Sequence, residues 1–172
     1  QSCFTPPFLS SDLPIIKINT FGEQIPNDPK IVAHMGIIDN GPINRNYIFS
    51  DSLNGYDGQI AIETRGASSA NFPKKNYGFE TQNSSGENNN VNLLGMPKEN
   101  DWILHGPFSD KSLIRNVLAF HLGNLTDRWA PRTRYCELFI NDEYVGIYIL
   151  MEKIKRDDDR VDIAKLDFDD NA

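Results

Sequence analysis

The run Tyr144–Lys153, Y-V-G-I-Y-I-L-M-E-K, is apolar at nearly every position. A strand with one wet face alternates apolar and polar residues, so a strand without that alternation has to be covered on both faces. Thr133–Ile140 reads as a second strand, and Asn141-Asp142-Glu143 turns between the two. Asn and Asp tolerate the left-handed backbone of a tight turn, which predicts a β-hairpin. A chain containing this hairpin has to build layers around it.

The remaining chain supplies further strands. Gln1–Asp12, with Pro6-Pro7 and Ser10-Ser11, reads as an extended lead-in. Strands follow at Leu13–Asn19 and Lys30–Ile38, a short one at Tyr47–Phe49, and another at Asp101–His105; Val91–Met96 is a short apolar piece. Pro14 stands near a strand start, where a missing donor is tolerated. One helix is predicted, capped by Ser109 or Asp110 and running to about Thr126. Leu113, Ile114, Val117, Leu118, His121, Leu122 and Leu125 share one face at helical spacing and are expected to meet the core. The result is an α+β class: a mostly antiparallel sheet packed with one main helix.

Composition narrows the function. With 172 residues, 39% of them hydrophobic, the chain is one domain or part of one and long enough to bury a core. A net charge of −7 argues against general binding of nucleic acid. No apolar run approaches the roughly 20 residues of a transmembrane helix. His34, His105 and His121 show no metal-ligand spacing, and His121 reads as a satisfied core histidine. Cys3 and Cys136 allow one disulfide without demanding it. Cys136 reads as a small buried hydrophobe; Cys3 reads as a free thiol or the remains of a lipid-anchored N-terminus, from which a signal has already been removed.

Against the acidic background, Gln59–Thr81 stands out. Its ends alternate like paired strands, and between them a loop of small residues, Gly66–Ala70, is flanked by Arg65, Lys74 and Lys75. Such a loop lets backbone N–H groups approach a ligand closely, with cations beside it, which suits an anion such as phosphate. Alternation carried back from Tyr77 and Phe79 puts Lys75 on the core-facing side and Lys74 with Glu80, as a solvated or Glu80-paired lysine. Lys111 and Arg115 lie along one rim of the helix, either salt-bridged to a carboxylate or helping the helix start to hold an anion.

Three ordered blocks, R-G-A-S-S-A-N-F-P-K-K-N-Y-G-F-E, D-K-S-L-I-R-N and C-E-L-F-I-N-D-E-Y-V-G-I-Y-I-L-M-E-K-I, resemble the CotH kinase family, named for a spore-coat protein. The resemblance spans about Leu13–Leu166. Members are similar to atypical protein kinases, so it implies that residues 13–166 form a nucleotide-binding lobe like the N-lobe of a protein kinase. Residues 167–172 would be a polar tail leading to a C-terminal lobe. The implied cofactor is ATP with Mg²⁺, and the implied activity is transfer of the γ-phosphate to protein Ser or Thr. The implied nucleotide-binding residues are Lys75 on the α/β-phosphates, Arg65, Ser68 and Ser69 lining the loop, Arg115 near the phosphates, and Glu152 with its neighbours at a hinge. For Arg65 and Arg115 a second role stands beside this one: locking loop to helix through carboxylates such as Glu63 or Asp101.

The family's metal-binding Trp-Asp-[aromatic]-Asp motif has no counterpart here; Asp167-Phe168-Asp169 lacks its Trp. No catalytic residue and no metal ligand is therefore assigned, and the chain by itself is expected to bind nucleotide without transferring phosphate. The implied setting is bacterial, secreted or at the cell surface, with a protein substrate as partner. The apolar face of a lone lobe would favour dimerisation. The alternative is a non-catalytic, secreted β-rich adhesion module that binds carbohydrate or protein through exposed loops and aromatics such as Tyr47, Trp102 and Trp129. A calcium site at Asp157-Asp158-Asp159 lacks the spaced ligands of an EF-hand.

Overall fold

The computed structural model describes residues 8–165. Cys3, most of the lead-in and Asp167-Phe168-Asp169 lie outside that range. The strands are β1 (Ser10–Ser11), β2 (Ile15–Asn19), β3 (Ile31–Ile38), β4 (Asn46–Tyr47), β5 (Tyr56–Arg65), β6 (Asn76–Gln82), β7 (Asp101–His105), β8 (Thr133–Ile140) and β9 (Glu143–Glu152). One α-helix, α1 (Arg115–Asn124), stands between β7 and β8, and a 3₁₀ turn spans Ser68–Asn71.

Seven strands close into a barrel in the order β2-β3-β5-β6-β7-β9-β8. Every neighbouring pair is antiparallel except the one that closes the ring: β2 runs parallel to β8, with Ile15 opposite Glu137 and Ile18 opposite Ile140. Closure leaves no unpaired edge among these strands. The interior is filled by side chains that alternate inward, including Ile16, Ile18, Ile60, Ile62, Phe79, Trp102, Leu104, Leu138 and Tyr148, while Leu93 and Met96 join them from the β6–β7 connection. Cys136 lies among them, fully buried with a free thiol pushed up to about 12 by burial.

This architecture corrects the α+β expectation and the likeness to a kinase N-lobe. The molecule is mostly β, and the closed barrel makes its own core, so no helix is needed as a second layer. Helix α1 contributes no buried residue. It rests through Val117 and Phe120 on an outer apolar patch made by Ile103, Ile149 and Met151. A similar external patch of Ile15, Ile38, Ile48 and Phe139 lies on the outer side of β2, β3 and β8.

The helix differs from its sequence reading in two ways. Ile114, Leu118, Leu122 and Leu125, expected in the core, are exposed, and so is His121. The helix also begins later, because Leu113 takes a left-handed φ of 61° that no α-helix accommodates. The hairpin is as expected, with Asn141 and Asp142 both at positive φ. Only the second half of β9, Tyr148–Glu152, is buried throughout, since Glu143–Val145 lie exposed. Among the described residues no helix is long and apolar enough to cross a membrane.

Candidate functional site

Alternation along β7 sends Trp102 and Leu104 into the barrel and turns Ile103 and His105 outward, beneath α1. Gly66 ends β5 with φ 118°, a conformation reserved for glycine, and a side chain there would collide with Ser69 Oγ. The chain then passes through the 3₁₀ turn and enters β6 at Asn76. Between this loop, the start of α1 and the exit of β9 lies a cleft of about 580 Å³. Arg65, Ser69, Asn76, His105, Asp110, Arg115, Asn116 and Lys153 supply its polar lining; Phe72 and Phe108, with ring centroids 5.2 Å apart, form part of the apolar wall.

Three of the sequence-predicted ligands meet here: Arg65, Ser69 and Arg115. Ser68 is exposed and does not line the cleft. Lys75 donates to Ala70 O at 2.6 Å and so braces the 3₁₀ turn from behind. Lys74 is neither solvated nor paired with Glu80, whose ion-pair partner is Lys30. Its ammonium instead donates to Ile147 O at 2.6 Å and sits 4.7 Å above the Tyr148 ring, where burial lowers its pKa. Glu152 is fully buried and holds Arg132, while its neighbours Met151 and Lys153 reach the cleft.

The two arginines are not locked to Glu63 or Asp101. The Arg65 side chain makes no hydrogen bond or ion pair among the described residues, although its backbone pairs with Asn76. Arg115 stands 3.6 Å from Asp110 with its side chain 78% exposed, a geometry that contributes little energy in water. Asp110 serves the helix start from outside it: Oδ2 accepts the Arg115 N–H at 2.9 Å, while Oδ1 accepts from the Ser112 N–H and hydroxyl. These bonds, the Ser112 hydroxyl first, hold its carboxyl below the usual range. Lys153 pairs with Asp101 at 2.9 Å. The free cationic capacity of the cleft therefore rests on Arg65 and Arg115.

His105, Asn76 and Asn116 form the cleft floor and were not singled out by sequence. The usable signal was the strict alternation of β7, which places His105 opposite the barrel interior. Its Nδ1 lies 2.8 Å from Asn76 Oδ1, and its Nε2 lies 3.1 Å from Asn116 Nδ2. Burial lowers the His105 pKa below 6.5; Arg65 and Lys74 add to that and Asp110 opposes it. A histidine held neutral by folding stabilises the fold fully above pH 6.5, and that contribution is lost as pH falls through its lower folded value. Thermal melts between pH 7.5 and 5 are expected to show a smaller acid-induced loss of Tm for His105→Asn than for the wild type.

The family model described as CotH kinase protein matches residues 62–170, more than half of the chain, and the match includes every residue of the cleft. A search of curated proteins finds no match.

Proposed function

The chain belongs to the CotH kinase family, and from that premise we propose that the cleft between Gly66 and α1 holds the phosphates of a nucleotide for a CotH-like phosphotransferase. The observation that carries this reading is Arg65, a guanidinium without an acceptor among the described residues, on the rim of a cleft that also presents Arg115 and the Gly66–Ser69 turn. Arginine carries five donors in a planar fork that matches phosphate. The cleft volume of about 580 Å³ falls in the usual range for small-molecule sites.

The residues present fit the phosphates rather than a metal. Among the described residues no group of three or more His, Cys, Asp or Glu side chains is placed to hold an ion. Each residue then has a distinct part. Arg65 and Arg115 neutralise phosphate oxygens, Ser69 donates from the turn, and Phe72 with Phe108 screens one wall from water. Lys75 acts through Ala70, keeping the turn in shape.

Calorimetric titration with ATP and Mg²⁺ tests the reading. The wild type is expected to bind, and Arg65→Ala to bind roughly ten- to a hundredfold more weakly, the loss of one or two charge-assisted hydrogen bonds. Lys75→Ala is expected to weaken binding less than Arg65→Ala. Absence of ATP binding by the wild type, or equal binding by Arg65→Ala, overturns the proposal.

A further inference from the structure

The orientation of the Asn76 amide is fixed by its surroundings. Its Oδ1 receives the Gly106 backbone N–H at 2.9 Å, and a backbone N–H only donates. The same oxygen lies 2.8 Å from His105 Nδ1, so Nδ1 must carry the ring proton. A neutral His105 then has its lone pair on Nε2, and Asn116 Nδ2 donates to it at 3.1 Å. The chain Gly106–Asn76–His105–Asn116 thus ties β6 and β7 to the first turn of α1 through one imidazole of defined tautomer.

We infer that His105 is a positioning residue of this cleft whose protonation strengthens anion binding. The inference rests on the reading of the cleft as a phosphate site. In the neutral ring, Nε2 is an acceptor on the floor of a cleft built for anions, and it holds the Asn116 amide with its N–H₂ turned toward the ring. Protonation puts a donor on Nε2, facing the donor of Asn116. The amide has to turn over or let go, and the cleft gains a positive charge beside Arg65 and Arg115.

The charged groups around His105 come from every neighbouring element: Arg65 at the end of β5, Lys74 ahead of β6 and Asp110 before α1 act on the ring, and Arg115 on α1 and Lys153 beyond β9 line the same cleft. Four of the five are cations. A bound anion offsets them, so proton uptake by His105 and anion binding favour each other. Coupling of this kind is reciprocal by thermodynamic necessity.

Sulfate is a suitable probe because its charge does not change between pH 5 and 8. Followed by NMR on the amides of Arg65–Ala70 and the His105 ring, wild-type sulfate affinity is expected to rise roughly tenfold as pH falls from 8 to 5, and saturating sulfate to raise the His105 pKa by about one unit. His105→Asn keeps a donor toward Asn76 without a titrating ring, and its sulfate affinity is expected to be flat with pH. Asn116→Ala removes the donor that favours the neutral ring and is expected to raise the His105 pKa in the free protein, a shift that a purely structural role for the ring would not produce. Sulfate binding that is equally pH-independent in the wild type, or the same profile in His105→Asn, overturns this inference and leaves the phosphate site standing. No binding of sulfate or ATP at any pH overturns both.

Discussion

Trp102→Ala is expected to cost about 3–5 kcal/mol, the range for removing a large aromatic from a close-packed interior. Trp102 is fully buried inside the barrel near the start of β7, opposite Phe79 on β6 and Glu152 on β9. Its Nε1 donates to Glu99 O at 2.9 Å, and the Arg160 guanidinium lies 5.3 Å over its ring. Truncation would therefore open a cavity, take one of the two donors from Glu99 O, which keeps the Val91 N–H, and leave Arg160 without the aromatic face that shelters it. A barrel collapses poorly around a missing side chain, because seven hydrogen-bonded strands fix its circumference. For a domain of this size the loss corresponds to a fall in Tm on the order of 10 °C. Trp102→Phe, which keeps most of the ring but not the N–H, is expected to lose clearly less. Urea denaturation followed by circular dichroism measures both, and a loss under about 1 kcal/mol for the alanine variant would sink the account.

The strands were legible because their signal is local. Period-2 alternation at Ile60/Ile62 and Tyr77/Phe79, and the Asn141-Asp142 turn, lie within a few residues of the structure they specify. Barrel closure was not legible, since pairing β2 with β8 joins Ile15 to Glu137 across most of the chain, and no pattern in either strand announces its partner. The helix misled for a related reason. The spacing of Ile114, Leu118, Leu122 and Leu125 records an apolar face but cannot say whether a core lies against it; of the expected face Val117 packs, together with Phe120, on an outer patch of the barrel. Alternation also failed where it was carried past a strand end. β6 begins at Asn76, so the directions of Lys74 and Lys75 follow from the turn before it, which sends Lys74 to Ile147 and Lys75 to Ala70. Arg65, Ser69 and Arg115, which do line one cleft, were legible from the small-residue loop, its basic neighbours and the family resemblance together. His105, Asn76 and Asn116 escaped because their role is set by hydrogen bonds among three segments, not by spacing within one.

Glu152→Ala is expected to be as damaging as the loss of Trp102, about 3–5 kcal/mol, because it removes the fully buried member of a charge pair whose other member, Arg132, is half-buried. Glu152 Oε2 accepts both the backbone N–H of Arg132 at 2.8 Å and its Nε at 2.9 Å, while Arg132 reaches on to Asp159 O. Its other oxygen, Oε1, is buried without a partner, as is Nη2 of Arg160. Arg160, itself buried, donates from Nη1 to Lys153 O. Through Arg132, which reaches on to Asp159 O, this carboxylate helps fasten the segment 153–160 to the end of the barrel, and Lys153 and Ile154 of that segment line the cleft. Removing it leaves the Arg132 N–H without its acceptor and takes away one of the carboxylates, after Glu99, that offset the charge of buried Arg160. Glu152→Gln keeps an acceptor for Arg132 but not the charge, so an intermediate loss is expected. A double-mutant cycle with Arg132→Ala isolates the pair, with an expected coupling of about 1–3 kcal/mol. Coupling near zero would mean that the segment is held by Arg160 and Trp102 alone, and that the carboxylate at the end of β9 has a role other than fastening this wall of the cleft.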